Sequence, residues 1–109
     1  MPPGDDFDID VTHANGRVIV AVVGEVDLDT APFVQTTLEA IDPTSHVVVD
    51  CAGLDFMDST GLAVLLRRST RSAEAGGSPR VRRPSVPVLR LLEFCCLEHL
   101  IEGDAAEAV

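Results

Sequence analysis

The chain has 109 residues, of which 46% are apolar and 24% charged, so its length and composition suit one globular domain with a single hydrophobic core. Its 18 acidic residues against eight basic ones give a formal net charge of −10, which argues against binding to nucleic acid or to an anionic membrane. All eight basic residues are arginine. Mechanisms that need a catalytic or phosphate-binding lysine are therefore excluded.

The cysteines and the hydropathy pattern predict a cytoplasmic protein. Three cysteines are an odd number, no Cys-x-x-Cys pair occurs, and we find no secretory signal. The longest apolar run, residues 18–23, is too short to cross a bilayer. We expect Cys51 and the adjacent pair Cys95-Cys96 to be small buried hydrophobic residues, in preference to a redox sensor.

The first predicted element is a β-hairpin. Apolar and polar residues alternate over residues 7–12, as in a half-buried strand. Asn15-Gly16 then favours a type I′ turn, because both central residues of that turn need a positive φ. Residues 18–23 are apolar at every position, which predicts a central strand covered by helices on both faces and ending at Gly24.

A strand-helix-strand unit follows the hairpin. Thr30 can cap a helix, and Pro32 suits its first turn, where a missing N–H costs nothing. Apolar residues at helical spacing continue to Ile41, and Asp42-Pro43 ends the helix. The run 47–49 predicts a second buried strand, so the unit is a right-handed βαβ crossover with parallel strands.

A second helix of about fifteen residues is predicted between the turn at residues 52–53 and Gly76-Gly77. Its predicted inner face carries Leu62, Leu65, Leu66, Ser69 and Ala73. Its predicted outer face carries Arg67, Arg68 and Arg71. These arginines belong to an arginine-rich band, residues 67–90, which holds seven of the eight arginines. The band suits a solvated helix face followed by an edge strand, and a partner-facing patch is the alternative.

The last third predicts an edge strand and a final helix. Residues 79–83 are flanked by prolines and contain one apolar residue, a pattern that only an edge strand tolerates. Ser85 caps a last long helix, and residues 98–101 suit a short final turn. We therefore expect one mixed, mainly parallel α/β domain over residues 7–102, with its sheet covered by helices. Residues 1–6 and the acidic segment 103–109 are expected to be flexible.

Signals for enzymes, metals and cofactors are weak. His13, His46 and His99 are scattered and have no cysteine or acidic cluster at ligand spacing, so no metal site is expected. A phosphate-binding loop is impossible without lysine, and no nucleophile elbow occurs. We expect a non-enzymatic protein that needs no cofactor.

One segment carries functional information: Asp58-Ser59-Thr60-Gly61, at the start of the second predicted helix. Hydroxyl groups in this position are most often helix caps. A hydroxyl here is also well placed for phosphorylation, because a helix N-terminus tolerates a dianion. Gly61 costs helix stability and leaves room for another backbone or a phosphate. Phe56-Met57 would form a small apolar lip beside the hydroxyl groups.

Together with this segment, three others make the chain similar to the STAS domain, and within it to bacterial anti-sigma factor antagonists. The resemblance runs from about Phe7 to Ile101, with the segments in the same order and at the same spacing. The four segments are Gly24-Glu25-Val26-Asp27, Thr30-Ala31-Pro32, Val47-Val48-Val49-Asp50 and Phe56-Met57-Asp58-Ser59-Thr60-Gly61-Leu62.

The resemblance implies a partner-switching regulator of sigma factors, of the kind that acts in stress responses. In the family, an anti-sigma factor kinase of the histidine-kinase-like ATPase fold phosphorylates the serine that matches Ser59, and a serine phosphatase resets it. The unphosphorylated antagonist binds the anti-sigma factor and frees a sigma factor. The aspartate that matches Asp27 contacts the kinase. The residues around the phosphoacceptor that match the family's contact surface are Met57, Asp58, Thr60, Gly61 and Leu62.

The chain departs from the family pattern in its last third, where Arg-rich residues 80–83 replace an apolar strand and Cys96-Leu97 replaces Gly-Leu. Two other functions were weighed. A receiver-like domain phosphorylated on Asp50 would need an acidic pair after its first strand and a lysine after its last, and the chain has no lysine. A STAS scaffold or ligand sensor that is never phosphorylated is the second alternative.

Overall fold

The computed structural model describes residues 6–77 and 80–102, which contain five strands, three α-helices and one 3₁₀ turn. The strands are β1 Asp8–Ala14, β2 Arg17–Val26, β3 His46–Asp50, β4 Leu54–Met57 and β5 Arg80–Arg82. The helices are α1 Ala31–Glu39, α2 Ser59–Ala75 and α3 Val86–Phe94, and the 3₁₀ turn is Glu98–Leu100. Apart from Asp6, the segments 1–6 and 103–109 that were expected to be flexible lie outside the described residues.

The strands form a mixed, mainly parallel and open sheet, as predicted. Its order is β1-β2-β3-β5, with β1 antiparallel to β2 and the other pairs parallel. The β1–β2 hairpin turns at Asn15 and Gly16, whose φ angles of 53° and 76° confirm the predicted turn. Strand β5 pairs with β3 along one side, and among residues 6–77 and 80–102 its other side has only an isolated bridge from Val81 to Ile101, so its predicted place at the edge is confirmed.

Strand β4 was not predicted, and it shows that β2 is longer than its sequence suggested. The prediction that β2 ends at Gly24 is wrong, because β2 continues to Val26 through an irregularity at Gly24. Gly24 has a φ of 102°, and a Cβ there would lie 2.8 Å from the carbonyl oxygen of Asp6. Strand β3 pairs with residues 17–21 of β2, and β4 then pairs with residues 24–26 further along the same strand. Gly24 therefore marks a bulge, and β2 carries a second pairing segment beyond it.

All three helices pack on one face of the sheet, so the prediction that residues 18–23 are covered on both faces is wrong. Ile19 and Ala21 on the other face are half-buried, and Val23 is 44% exposed. The reason is topological: β2 to β3, β4 to β5 and β5 to Ile101 are parallel crossovers that advance in one direction across the sheet. Right-handed crossovers that advance in one direction place their helices on one face. The core residues on this face include Val20, Val22, Val49, Val81, Leu38, Leu65, Val88 and Leu92.

Helix α2 is oriented differently from its predicted faces. Arg68, predicted on the outer face, is only 4% exposed, whereas Leu66, predicted on the inner face, is 37% exposed. The Arg68 guanidinium donates hydrogen bonds to the backbone oxygens of Leu38 (2.9 Å), Ile41 (2.8 Å) and Asp42 (2.8 Å). These carbonyls belong to the end of α1 and the turn after it, and those of Leu38 and Asp42 also accept the backbone N–H groups of Ile41 (3.2 Å) and Ser45 (3.0 Å). Arg68 thus closes α1 from the neighbouring helix.

Ser69 and Ala73 were also predicted on the inner face of α2, but the buried face of the helix passes through Ser72 instead. Ser72 is fully buried, while Ser69 is half-buried and Ala73 is exposed. The predicted ends of the helix are correct. It runs for 17 residues and stops at Gly76, whose φ of 87° gives the left-handed C-cap expected of glycine.

The cysteines divide between the core and the surface. Cys51 is fully buried, as predicted, and burial raises the pKa of its thiol to about 12. Cys95 and Cys96 are both exposed, so the prediction that they are buried is wrong. They follow α3 directly, and Cys96 has a φ of 58°. The chain turns back at this point towards the 3₁₀ turn, and the turn leaves both side chains in solvent.

We predict that Arg68→Met lowers the free energy of unfolding by about 2–4 kcal/mol, because the carbonyl oxygens at the end of α1 lose the hydrogen bonds that the guanidinium donates. Arg67→Met is the matched control. Arg67 is exposed and donates one hydrogen bond, to Gln35 (2.7 Å), so its loss should change stability little. Urea unfolding followed by circular dichroism measures both variants. Equal stability of the two variants would show that Arg68 does not hold α1 in place.

Candidate functional site

The candidate site lies where β2 and β4 end side by side. Val26 pairs with Met57 at the last position of both strands, and the Asp58 N–H donates to the Val26 oxygen at 3.1 Å. Neighbouring strands are about 4.8 Å apart. The residues that follow them, Asp27 on one side and Asp58 with Ser59 on the other, are therefore brought together, although 30 positions separate them in the chain.

Asp58 is the N-cap of α2, and this leaves the Ser59 hydroxyl free. The Asp58 carboxylate accepts hydrogen bonds from the backbone N–H groups of Thr60 (2.9 Å) and Gly61 (3.3 Å). The interpretation of the two hydroxyl groups as caps is therefore wrong. Ser59 is the first residue of α2, its side chain is exposed, and within residues 6–77 and 80–102 its Oγ has no hydrogen-bond partner.

The residues beneath Ser59 are tightly packed. A Cβ on Gly61 would lie 2.6 Å from Val26 Cγ1 and 2.8 Å from Met57 Cγ, so the idea that Gly61 leaves room for a phosphate is wrong. The space that glycine leaves is filled from within the domain. Met57 and Leu62 are each 6% exposed, and Gly61 is buried.

Four of the residues predicted around the site reach its surface, while the three packed ones support them from below. Ser59 is exposed, and the other three are half-buried: Asp27, Asp58 and Thr60. The expected apolar lip is not formed: Met57 points into the core, and Phe56, which is 45% exposed, stands on the opposite face of β4 beside Glu25.

Asp27 organises the loop between β2 and α1. Its Oδ1 accepts hydrogen bonds from the backbone N–H groups of Asp29 (3.0 Å) and Thr30 (3.2 Å). The Thr30 hydroxyl donates to the Glu25 oxygen at 2.7 Å, so the loop is tied back onto the end of β2. Thr30 sits at the N-cap position of α1, as predicted, but its own hydroxyl makes no cap hydrogen bond. Asp27 therefore has a structural role as well as a place on the surface.

The surface around the site combines negative charge with exposed apolar side chains. A shallow groove beside Asp27 is lined by Asp6, Phe7, Gly24, Glu25, Asp29, Thr30 and Asp55. Leu28 is 75% exposed and Phe33 is 41% exposed, and Phe33 packs against Phe7 with 6.2 Å between ring centroids. The exposure of Leu28 was not predicted, although this apolar residue stands between two aspartates in a polar connector.

Asp50, the phosphoacceptor of the receiver-like alternative, has a structural role. It is 6% exposed, it is ion-paired with Arg82 (3.3 Å) and Arg83, and its carboxylate accepts the Ala52 N–H at 3.0 Å. Burial raises the pKa of this carboxyl, but the hydrogen bonds from Arg83 and Ala52 outweigh burial and hold the pKa below its usual value. A carboxylate that is buried and already paired is a poor phosphoacceptor.

Metal-binding and membrane-spanning features were also sought in the described ranges. Among those residues, no three histidine, cysteine or acidic side chains are grouped so that they could hold a metal ion. None of the helices there is both long enough and apolar enough to cross a bilayer.

The chain matches a known domain family over nearly its whole length. The sequence model of the STAS domain matches residues 8–108. The anti-sigma F factor antagonist of Paenibacillus polymyxa is 36% identical over 92 residues, which cover 82% of this chain and 79% of that protein.

Two solved structures of SpoIIAA share the fold. The anti-sigma factor antagonist SpoIIAA in its unphosphorylated form superposes with a TM-score of 0.76 at 17% identity, covering 94% of this chain and 98% of that one. The Bacillus cell fate determinant SpoIIAA in the phosphorylated form gives a TM-score of 0.67 at 22% identity, covering 94% and 97%.

Asp50→Asn should reduce stability at pH 7 by about 1–3 kcal/mol, since two arginines lose a charged partner. The folded-state pKa of Asp50 is lowered, so its contribution is present above the unfolded pKa of about 3.9 and is lost as pH falls through the folded value. The gap between wild type and variant should therefore close below about pH 4. Urea unfolding between neutral and acid pH measures it, with the exposed Asp55→Asn as control. A gap that stays constant with pH would contradict the ion-pair assignment.

Proposed function

This chain belongs to the STAS domain family and, within it, to the anti-sigma factor antagonists, and we propose that phosphorylation of Ser59 switches its binding to an anti-sigma factor. In this proposal the partner is a serine kinase of the histidine-kinase-like ATPase fold. The unphosphorylated antagonist binds it and releases a sigma factor, and the phosphorylated antagonist does not bind. A serine phosphatase restores the unmodified form. The chain catalyses none of these steps, and the switch works in the cytoplasm, where ATP is available.

The observation that carries the proposal is the free Ser59 hydroxyl beside a capping aspartate. Because Asp58 satisfies the N–H groups of Thr60 and Gly61, Ser59 can be modified without loss of the cap. Its Oγ would attack the γ-phosphorus of ATP held by the partner, ADP would leave, and the hydroxyl proton would pass to a base on the kinase. The positive end of the α2 dipole stabilises the phosphate that results.

The same geometry explains how a phosphate would break the complex. It adds about −1.5 to −2 charges at pH 7, next to Asp58 and Asp27 and near the acidic groove. A partner that complements an acidic, partly apolar surface carries basic and apolar groups there. The carboxylates of Asp58 and Asp27 already match those basic groups, so a dianion added at Ser59 would lose its water beside two like charges and without a counter-charge of its own. We assign contact roles to Asp27, Asp58 and Thr60, and supporting roles to the buried Met57, Gly61 and Leu62.

The modification itself is tested by incubating the protein with its cognate anti-sigma kinase and ATP and measuring intact mass. Wild type should gain one phosphate, and Ser59→Ala should gain none. Thr60→Ala, which removes the neighbouring hydroxyl group, should still be phosphorylated. Stoichiometric phosphorylation of Ser59→Ala would contradict the assignment. A wild type that binds the kinase but is never phosphorylated would favour the scaffold function.

Binding of the anti-sigma factor is the second measurement, made by titration calorimetry. Ser59→Asp should weaken the affinity at least about tenfold, which is 1.4 kcal/mol, because it puts a carboxylate at the contact. Ser59→Ala should keep the affinity of the unmodified protein. Equal affinities of the two variants would contradict the electrostatic mechanism.

Asp27→Asn separates the contact role of Asp27 from its structural role. The amide retains an oxygen that accepts the Asp29 and Thr30 N–H groups, so the melting temperature should stay the same while anti-sigma binding weakens about tenfold. Glu74→Asn, which also removes an exposed carboxylate but lies at the opposite end of α2 from Ser59, is the control and should bind like wild type. If Asp27→Asn binds as tightly as the control, the Asp27 carboxylate is not a partner contact.

A further inference from the structure

The face of the sheet opposite the helices is free of any helix in the part of the chain that the structure describes, and we call it the open face. Strand register defines its rows. One row crosses the four strands through Asp10, Ala21, Asp50 and Arg82. The next row crosses them through Thr12, Ile19, Val48 and Arg80.

The open face is divided by charge. Its β1 edge carries Asp8 and Asp10, both exposed, with a charge of −2. Its β5 edge carries Arg80, which donates only to a backbone oxygen, that of His99 (2.8 Å), and so keeps its charge of +1. Arg82 and Arg83 share Asp50, and these three groups sum to +1. The two edges therefore carry opposite charges of equal size.

The centre of the open face is apolar and only partly covered. It is formed by Ile19, Ala21 and Val23 of β2, of which the first two are half-buried and Val23 is 44% exposed. Val48 beside Ile19 is 1% exposed, although no described helix lies over it. On the same face of β2, Arg17 is ion-paired with Glu102, whose N–H donates to the Val81 oxygen of β5, so this pair reaches across the face and adds no net charge. A strip of aliphatic side chains between two charged edges is the arrangement of a protein–protein contact with a polar rim.

We propose that the open face binds a second copy of this chain, with a two-fold axis parallel to the strands. Rotation about this axis places β1 of one copy over β5 of the other and β2 over β3. Asp10 then faces Arg82 of the second copy, and the reverse contact forms at the other edge. An unrelated acidic or basic partner would match only one edge and repel the other, whereas a second copy matches both.

The contact should be weak and sensitive to salt. Four strands give a narrow face, smaller than the roughly 800 Å² per partner of a standard interface, and rim charges are screened by salt. The helix that carries Ser59 packs on the other side of the sheet, so self-association leaves the phosphorylation site accessible. This proposal does not depend on the proposed function.

Sedimentation velocity tests it with two charge reversals on opposite edges. Wild type at about 150 mM salt, where a Debye length of about 8 Å screens the repulsion between two chains of net charge −10, should shift from monomer to dimer as its concentration rises, and less so at about 1 M, where a Debye length of about 3 Å also screens the edge contacts. Asp10→Arg and Arg80→Asp each remove the net charge of one edge of the open face, so that it no longer attracts the opposite edge of a second copy. Each variant alone should therefore dimerise at least tenfold more weakly. An equimolar mixture should dimerise more strongly than either variant alone, because one edge contact of the mixed dimer pairs charges of −2 and +2, while the other pairs two edges of zero net charge.

Glu74→Arg on the exposed side of α2 is the control. It makes the same change in net charge as Asp10→Arg, but away from the open face, so it should dimerise like wild type. Circular dichroism verifies that each variant is folded. A wild type that stays monomeric at every concentration at about 150 mM salt would overturn the proposal. A dimer that ignores both reversals, or a mixture no better than its components, would overturn it as well.

Discussion

The direction of its crossovers determines most of this domain. After the hairpin, each parallel connection moves the chain further from β1, and right-handed crossovers then place α1, α2 and α3 on the same face. That one constraint puts the helix start at Ser59 beside the loop after β2, because β4 and β2 end together. It also leaves the opposite face to be closed by short side chains and ion pairs.

Neighbouring residues at the site have separate roles. Helix α2 needs an acceptor at its first N–H groups and a close approach to the sheet, and Asp58 and Gly61 supply these two requirements. Ser59 lies between them with no structural task among the described residues. A hydroxyl freed in this way can be modified at little cost to the fold, because the cap and the packing belong to other side chains.

Features with local causes could be predicted from the sequence, whereas features with distant causes could not. The Asn15-Gly16 turn and the Gly76 cap follow from backbone preferences of the residues themselves. The burial of Arg68 depends on carbonyls of α1 some thirty residues away, and periodicity alone placed it in solvent. Strand β4 was not predicted, because its four residues lie between the turn at residues 52–53 and the first residue of α2, and so resemble the start of that helix. At the site, the segment 56–62 was recognised from its sequence. Which of its residues are exposed could not be predicted, because Gly61 and Met57 are buried against Val26 of another strand.

The use of arginine in place of lysine also has a structural explanation. Arg68 reaches three carbonyl oxygens at once, and Arg82 and Arg83 share one carboxylate across a sheet edge. Such contacts need the planar, multidentate guanidinium, which an ammonium group on a flexible stem does not reproduce. The arginine-rich band is therefore neither one solvated face nor one partner patch. Its members are spread over the helix interface, the open face and the solvent. In a chain of net charge −10, Arg68, Arg82 and Arg83 lie where a fixed positive group has specific acceptors or an opposite charge.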